Sequence, residues 1–333
     1  MKHRSFVVAS TVILFLVAGV VAGLALYSTV AVKASIPGLP EAVAYLPSDA
    51  QAVFGMNVKR FVESPIYARF EQKHGEEIGK DLSEFIAKTG VDPRRDVHYI
   101  VAAGKHGNRE DPSGVIIAEG NFDAAAITAF LSSKASPIKL DYEGATVLMV
   151  PEENGSKIEK GIAFLSEKEI ALGELGALKS VLDIRGGKGD KVGVLENPTL
   201  GPMIKNLNPD EMFWFAGDAA NILSKAPANT PLGSNISAIT HVFGTLNLTD
   251  AVDGTITVTA KDEASAVKLA DVAKGLVALG QLASDQNAEL ADLVKGIGVK
   301  QVKDQIQLKV NFPIELLEKL DHGRPAAATK KVV

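Results

Sequence analysis

A long apolar run without charge dominates the N-terminal part of the sequence. It extends from Ser5 to Val32, a stretch of 28 positions. A helix needs about 20 apolar residues to cross the hydrocarbon layer of a bilayer. The run therefore predicts a transmembrane signal anchor over residues 5–32.

The charges that flank this run predict the topology. Lys2 and Arg4 precede the run, and only Lys33 follows it closely. By the positive-inside rule, residues 1–4 form a cytoplasmic stub, and the chain after Lys33 lies in the periplasm or outside the cell. The alternative is a signal peptide cleaved near Ala34, which would also export the rest of the chain. An apolar region of about 7–15 residues is typical of signal peptides, so the longer run favours a retained anchor.

Two glycines inside the run have the spacing of a contact between membrane helices. Gly19 and Gly23 are separated by three residues, and small residues at this spacing let two helices approach closely. They are the predicted site residues of the chain. Glycine is also frequent in membrane helices in general, and this remains the alternative explanation.

Composition and charge exclude several classes of function. The chain has 333 residues, 46% of them hydrophobic, which is enough for one full core or two smaller ones. Its net charge is −5, and because the first 34 residues carry +3, the remainder carries −8. Such a domain repels phosphate backbones, so we expect no nucleic-acid partner. The chain has no cysteine, which excludes disulfides, thiolate metal sites and thiol nucleophiles.

Breaks in composition divide the rest of the chain. Proline and glycine between Ser35 and Pro40 indicate a stem, and the polar, glycine-rich stretch from Arg185 to Lys191 separates two segments of similar length. The predicted organisation is a stem at 33–44, a first α+β unit at 45–185, a linker at 186–195, a second α+β unit at 196–321 and a disordered tail at 322–333.

The two units repeat one order of elements. Each is predicted as strand, helix, strand, strand, helix, strand, strand, helix from the periodicity of its apolar residues. The first six elements match the ferredoxin-like order β-α-β-β-α-β. The sequence thus predicts an α+β fold of two tandem related units, each a mixed or antiparallel sheet with packed helices. Periodicity leaves open whether the units form two lobes or one continuous sheet.

Local signals place several element boundaries. Asn57 and Asp218 suit helix N-caps, because a short side chain can accept hydrogen bonds from free backbone N–H groups. A further helix is predicted over Glu76–Thr89, with Gly90 as its stop. The dipeptide Asp253-Gly254 is typical of a hairpin turn.

The later part of each unit gives similar signals. Turns are predicted at Ser166–Glu169 and at Lys303-Asp304, and Pro313 is predicted to open the last helix. The helix that follows residue 260 carries apolar residues at three- and four-residue spacing. These are Val267, Ala270, Ala273, Leu276 and Val277.

No familiar catalytic or metal-binding motif occurs in the sequence. There is no His-x-x-x-His pair and no Gly-x-Ser-x-Gly nucleophile elbow. His98 and His241 fall in corresponding strands of the two units and could bind a metal together, although ordinary strand positions also explain them. The glycines at 186–189 lack the Ser or Thr of a phosphate loop and are interpreted as a linker. We therefore predict no catalytic residue, no metal site and no cofactor.

Two short motifs resemble those of uncharacterised membrane-anchored bacterial envelope proteins. The step Tyr45-Leu46-Pro47-Ser48-Asp49-Ala50 is similar to the Leu-Pro-x-Asp-Ala start of their ectodomains. The stretch from Thr89 to Val97, with Asp92-Pro93 and Asp96, resembles a turn in the same proteins. The resemblance covers about the first third of the ectodomain. It implies a domain of unknown function and brings no activity with it.

These features together predict a membrane-tethered extracytoplasmic binding domain. Its partners would be membrane lipid around the anchor and an envelope protein, a peptide or a lipid as ligand. One alternative is a hydrolase that uses carboxylates, which requires clustered acids in a concave pocket. Another is a structural subunit of a membrane complex that assembles partly through the anchor helix.

Overall fold

The computed structural model describes residues 39–105, 113–150, 160–188, 191–219, 237–283 and 288–316. The predicted stub and anchor, the first half of the predicted stem and the predicted tail at 322–333 lie outside these residues. The helix predicted to follow Asp218 also lies largely outside them.

The predicted membrane topology is corrected by the helices that the structure describes. Within the described ranges, no helix is both long and apolar enough to cross a bilayer. This finding contradicts the single-pass membrane topology, and with it the signal anchor and the periplasmic or extracellular location. The predicted span itself, with Gly19 and Gly23, lies outside the described residues. A run without charge shows only that a segment is stable in apolar surroundings. The prediction of a membrane span assumed that these surroundings are the lipid bilayer.

The first half of the described chain builds seven strands. Its elements, in chain order, are the 3-10 helix η1 (Glu41–Tyr45), β1 (Ala52–Asn57), α1 (Val58–Val62), α2 (Pro65–Thr89), α3 (Pro93–Asp96), β2 (Val97–Lys105), β3 (Ser113–Gly120), α4 (Ala124–Lys134), β4 (Ile138–Tyr142), β5 (Ala145–Val150), β6 (Lys160–Ser166), β7 (Glu169–Glu174) and α5 (Leu175–Arg185).

The second half of the described chain builds five strands. Its elements are the 3-10 helix η2 (Val194–Glu196), α6 (Leu200–Lys205), β8 (Phe213–Asp218), β9 (Ile239–Leu248), β10 (Ala251–Ala260), α7 (Glu263–Ala283), α8 (Ala288–Lys295), β11 (Ile297–Val302) and β12 (Gln305–Pro313).

Capping residues set the predicted helix ends. The side chain of Asn57 accepts a hydrogen bond from the N–H of Arg60 at 3.1 Å, which confirms the predicted N-cap. Gly90 ends α2 in the left-handed conformation, with φ 73°, and confirms the predicted stop. The helix before it begins at Pro65, well ahead of the predicted Glu76.

Two of the predicted turns are confirmed, and two other boundaries are wrong. Strand β6 turns into β7 within Ser166–Glu169, and β11 turns into β12 at Lys303-Asp304. The dipeptide Asp253-Gly254 lies inside β10, and the chain reverses earlier, at Thr249-Asp250. Pro313 is the last residue of β12, and the helix that it was predicted to open begins two residues later, at Glu315.

The described strands form a single 12-stranded sheet. Its order is β11-β12-β10-β9-β8-β1-β2-β3-β7-β6-β5-β4. Each pairing of these strands is antiparallel. The two halves join where β1 pairs with β8, with Phe54 opposite Phe215.

This topology contradicts the predicted ferredoxin-like units. In a ferredoxin-like unit, the helical connection after the first strand crosses to a parallel strand. Here the connection through α1, α2 and α3 returns to the antiparallel neighbour β2. The order of elements along the chain is compatible with both arrangements, so it did not determine which strands pair.

The strand order is the same on both sides of the central pair. One side reads β1-β2-β3-β7-β6, and the other reads β8-β9-β10-β12-β11. Strands β5 and β4 extend the first side only. Helix α7 packs on the second side, against β10, β11 and β12.

Apolar side chains pack on both faces of the sheet. On one face, Phe54 and Phe213 pack in a cluster that includes Phe85 of α2. On the other face, Trp214 is fully buried in a cluster with Leu178 of α5. Two buried faces are expected for a sheet that carries helices on both sides.

The centre of the sheet is built around Trp214. Its register partner is Gly55, and a Cβ at Gly55 would lie 2.0 Å from Cε2 of the Trp214 ring. The indole Nε1 donates a hydrogen bond to the hydroxyl of Tyr99 at 2.5 Å, and this hydroxyl donates to the carbonyl of Pro209 at 3.0 Å. The buried polar atoms of both rings therefore have partners.

Candidate functional site

An open cleft of about 450 Å³ lies at one end of the sheet, next to η1. The start of β2, the end of β3 and the turn from β6 to β7 meet there. We call it the glutamate cleft, after Glu41, Glu119 and Glu169, and its lining also includes Arg185, His98 and Lys168.

Two of these carboxylates face each other across neighbouring strands. Glu119 of β3 is the direct register partner of Glu169 of β7, an arrangement that is normally destabilising for like charges. The protein itself supplies compensating groups. Glu119 accepts a hydrogen bond from the N–H of Ala42 at 3.2 Å. One oxygen of Glu169 lies 3.3 Å from Oγ of Ser166 and 3.8 Å from a guanidinium nitrogen of Arg185.

The surroundings of the cleft shift two titrations. Burial raises the pKa of the Glu119 carboxyl, the Ala42 N–H opposes this rise, and the charges of Glu169 and Glu41 add to it. Burial also raises the pKa of Tyr45 to about 12, helped by its hydrogen bond to Glu41. The cleft therefore favours the protonated form of Glu119 more than water does, which is the direction that a general acid needs.

The cleft does not assemble a metal centre. Across the described ranges, no three side chains of His, Asp or Glu are placed to hold a metal ion. The glutamates contact groups of the protein instead. The N–H of Ala42 and the guanidinium of Arg185 tie η1 and α5 to this end of the sheet.

A second feature lies on the outer side of α7. Leu276 is 39% exposed, Leu279 is 63% exposed and Leu282 is 76% exposed. Residues three apart are neighbours on a helix surface, so the three side chains form one stripe. We call this stripe the leucine face. No charged residue occurs from Gly275 to Ala283.

The opposite side of α7 is already packed. Ala266, Leu269 and Ala270 are buried in a cluster with Ile306 of β12. Farther along the helix, a Cβ at Gly280 would lie 2.4 Å from Val294, where α8 crosses it. The leucine face is thus additional to the surface that α7 uses for folding.

Sequence reasoning missed the leucine face because the last part of α7, from Gly275 to Ala283, has no charged residue on any side. The predicted apolar spacing included Val267 and Leu276, and both side chains are exposed in the structure. When apolar residues surround a helix, their spacing does not indicate which side faces the core. One feature of the sequence could have indicated the leucine face. It is the absence of charged residues from Gly275 to Ala283, in a segment that contains Leu279 and Leu282.

The residues singled out in the sequence do not form a site. Gly19 and Gly23 lie outside the described residues. His98 stands beside Tyr99, which is opposite Asn57 at the end of β1, whereas His241 is opposite Asp218 at the other end of the sheet. Since a strand rises about 3.3 Å per residue, the two imidazoles are too far apart to share a metal.

Comparison with known proteins identifies no family. No protein-family model matches the chain, and no curated protein matches it. Among solved structures, crystal form I of TP0453 is similar with a TM-score of 0.47 and 9% identity, over 85% of this chain and 96% of that one. Crystal form IV of TP0453 has a TM-score of 0.47 and 11% identity, over 84% and 95% of the two chains. Such TM-scores carry no argument about function, and the resemblance to envelope proteins stays a prediction.

Proposed function

We propose that this protein is an interaction domain that binds another protein surface through the leucine face of α7. The observation that carries the proposal is the exposure of three leucines in one stripe. Single exposed leucines are normal on protein surfaces. A contiguous apolar stripe on an uncharged helix end is uncommon, and such surfaces mark sites of association.

The energy available from this stripe suits reversible association. Full burial of a leucine side chain contributes about 1.5–3 kcal/mol. Scaled by the exposed fractions of the three leucines, complete cover of the stripe would contribute roughly 3–5 kcal/mol. Because association also costs entropy, the stripe would form the apolar centre of a larger contact.

Site-specific photocrosslinking tests the proposal. The photoreactive residue benzoylphenylalanine is placed at Leu279, and as a matched control at Val267, which is exposed about three turns earlier in the same helix. We expect a discrete protein adduct from position 279 in cells that produce the protein, and none from position 267. The adduct should disappear when Leu282→Glu is added. Absence of an adduct from position 279, or equal adducts from both positions, would overturn the proposal.

The glutamate cleft supports a second candidate function, hydrolysis by carboxylates. The specific observation is that Glu119 lies directly opposite Glu169 in the cleft and that burial raises its pKa, because a carboxyl with a raised pKa beside a second carboxyl can act as a general acid. The test is hydrolysis of p-nitrophenyl esters and glycosides by the native protein, by Glu119→Gln and by the control Glu63→Gln. This candidate predicts activity that only Glu119→Gln removes. No hydrolysis by the native protein above the buffer rate would contradict it.

A further inference from the structure

We infer that the surface bound by the leucine face is the leucine face of a second copy of this chain. The inference rests on the proposed function and names its partner. The contact would be two-fold symmetric, with α7 of one copy antiparallel to α7 of the other. Three observations on α7 favour this partner.

The first observation is the distribution of charge. From Gly275 to Ala283 the helix carries no charge, so two copies of this segment meet without bringing like charges together. Each chain carries a net charge of −5, so two copies repel each other weakly overall. The N-terminal half of α7 is different, because Lys268, Asp271 and Lys274 are exposed there. An uncharged surface on an acidic protein is the kind that can face its own copy.

The second observation is the spacing of the leucines. Leu276, Leu279 and Leu282 follow one another at intervals of three residues. The spacing of the leucines is therefore the same in both directions along the helix. A two-fold axis at Leu279 places Leu276 of one copy against Leu282 of the other, and the reverse. Each leucine then has an apolar partner, and the shape of the stripe complements itself.

The third observation is the small side chains beside the stripe. Gly275 lies one turn before Leu279, and a Cβ built on Gly275 has no atom within 4 Å. Ala278 is also exposed. Small residues at these positions let a second helix approach closely enough for the leucines to interdigitate.

The described part of the chain leaves this surface open. Helix α8 crosses α7 at Gly280, where Val294 contacts it. The exposed fractions of Leu279 and Leu282 are the largest among the large apolar side chains of the described residues. A second copy would cover the most exposed of the described leucines.

Sedimentation velocity of the full chain tests the inference. We expect the native protein to sediment with a mass near twice 35.1 kDa as concentration rises. The double variant Leu279→Glu, Leu282→Glu should stay near 35.1 kDa, with association weakened by about 100-fold or more, because four charges would enter one apolar contact. Val267→Glu is the control and should dimerise like the native chain. Circular dichroism and the thermal midpoint establish that each variant is folded.

Several outcomes would overturn the inference. A native chain that remains at 35.1 kDa at all concentrations would do so, and so would a double variant that still dimerises. The photocrosslinking experiment separates this failure from failure of the proposed function. An adduct between position 279 and a different protein would leave the interaction function standing and reject the second copy, whereas no adduct would reject both.

Discussion

At the scale of single residues, Gly55 and Trp214 determine how the two halves of the sheet meet. A side chain at Gly55 would occupy the space of the Trp214 ring, since its Cβ would lie 2.0 Å from Cε2. Trp214 is fully buried and has no room to move aside. We expect Gly55→Ala to lower the free energy of unfolding by roughly 3 kcal/mol. Urea unfolding followed by circular dichroism measures this loss.

Gly176→Ala is the matched control for this prediction. Gly176 lies exposed in the first turn of α5, and its Cβ would have no atom within 4 Å. There the same substitution should stabilise the protein slightly, by up to about 1 kcal/mol, because alanine restricts the unfolded chain and favours helix. If both substitutions changed the free energy of unfolding equally, the close approach of Gly55 to Trp214 would not be the reason that position 55 requires glycine.

The raised pKa of Glu119 predicts a pH dependence of stability. Below the ordinary glutamate pKa of 4.5 the carboxyl is protonated in both the folded and the unfolded state. Above that value the unfolded state loses its proton first, so stability falls with rising pH until the folded carboxyl has also ionised. Glu119→Gln should remove this fall and leave the protein more stable than the native chain at neutral pH. Thermal unfolding between pH 4 and pH 8 measures it.

The pH dependence assigned to Glu119 has a matched control variant at a neighbouring glutamate. Glu167→Gln, in the exposed turn beside the cleft, should reproduce the pH profile of the native protein. If Glu119→Gln were less stable than the native chain at neutral pH, the carboxylate would be a net stabilising partner of Ala42. The assigned effect of burial on Glu119 would then be wrong.

At the scale of elements, Gly90 determines where the longest helix of the first half ends. It adopts φ 73°, and a Cβ there would have no atom within 4 Å. The cost of Gly90→Ala is therefore conformational alone, and we expect about 1 kcal/mol, or about 2–4 °C in the thermal midpoint. Gly90→Asn should lose less, because asparagine tolerates the left-handed conformation. Equal losses for both variants would contradict this explanation.

Features that depend on neighbouring residues could be predicted from the sequence. The cap at Asn57, the stop at Gly90 and the turn at Lys303-Asp304 each follow from side-chain chemistry within a few positions. Asp253-Gly254 was mispredicted because a glycine that suits a turn also suits a strand whose neighbour approaches closely. A Cβ at Gly254 would lie 2.4 Å from the carbonyl oxygen of Thr245.

The candidate sites depend on tertiary structure and had no local signal. The glutamates of the cleft come from η1, β3 and β7, and the hydrogen bond from Ala42 to Glu119 spans 77 positions. No motif connects residues so far apart. The leucine face became visible only when the structure showed which side of α7 packs on the sheet.

At the scale of the whole molecule, the pairing of β1 with β8 could not be predicted from periodicity. Alternating apolar residues predict that a strand exists, but they do not identify its neighbours. Phe54 and Phe215 therefore gave no sign in the sequence that they face each other in the sheet. The repeated order of elements predicted tandem ferredoxin-like units. That order does not determine which strands pair or which strands lie at the edge of a sheet.

A single sheet predicts cooperative unfolding of both halves. Trp214 is the only tryptophan of the chain and lies in β8 at the junction, so its fluorescence reports the centre of the sheet. We expect its urea transition to coincide with the transition seen by far-ultraviolet circular dichroism. Two separate transitions would indicate that the halves are independent units and would contradict the continuous sheet.

Alkylation of single cysteines tests most directly whether the leucine face is covered in the working protein. The chain has no cysteine, so Leu279→Cys and Val267→Cys each introduce a single reactive thiol. In an isolated chain position 279 should react at least as fast as position 267, because the native side chains are 63% and 42% exposed. In the assembled protein we predict that position 279 reacts several-fold more slowly than position 267. Alkylation of position 279 as fast as position 267, in cells that produce the protein, would contradict the interaction surface.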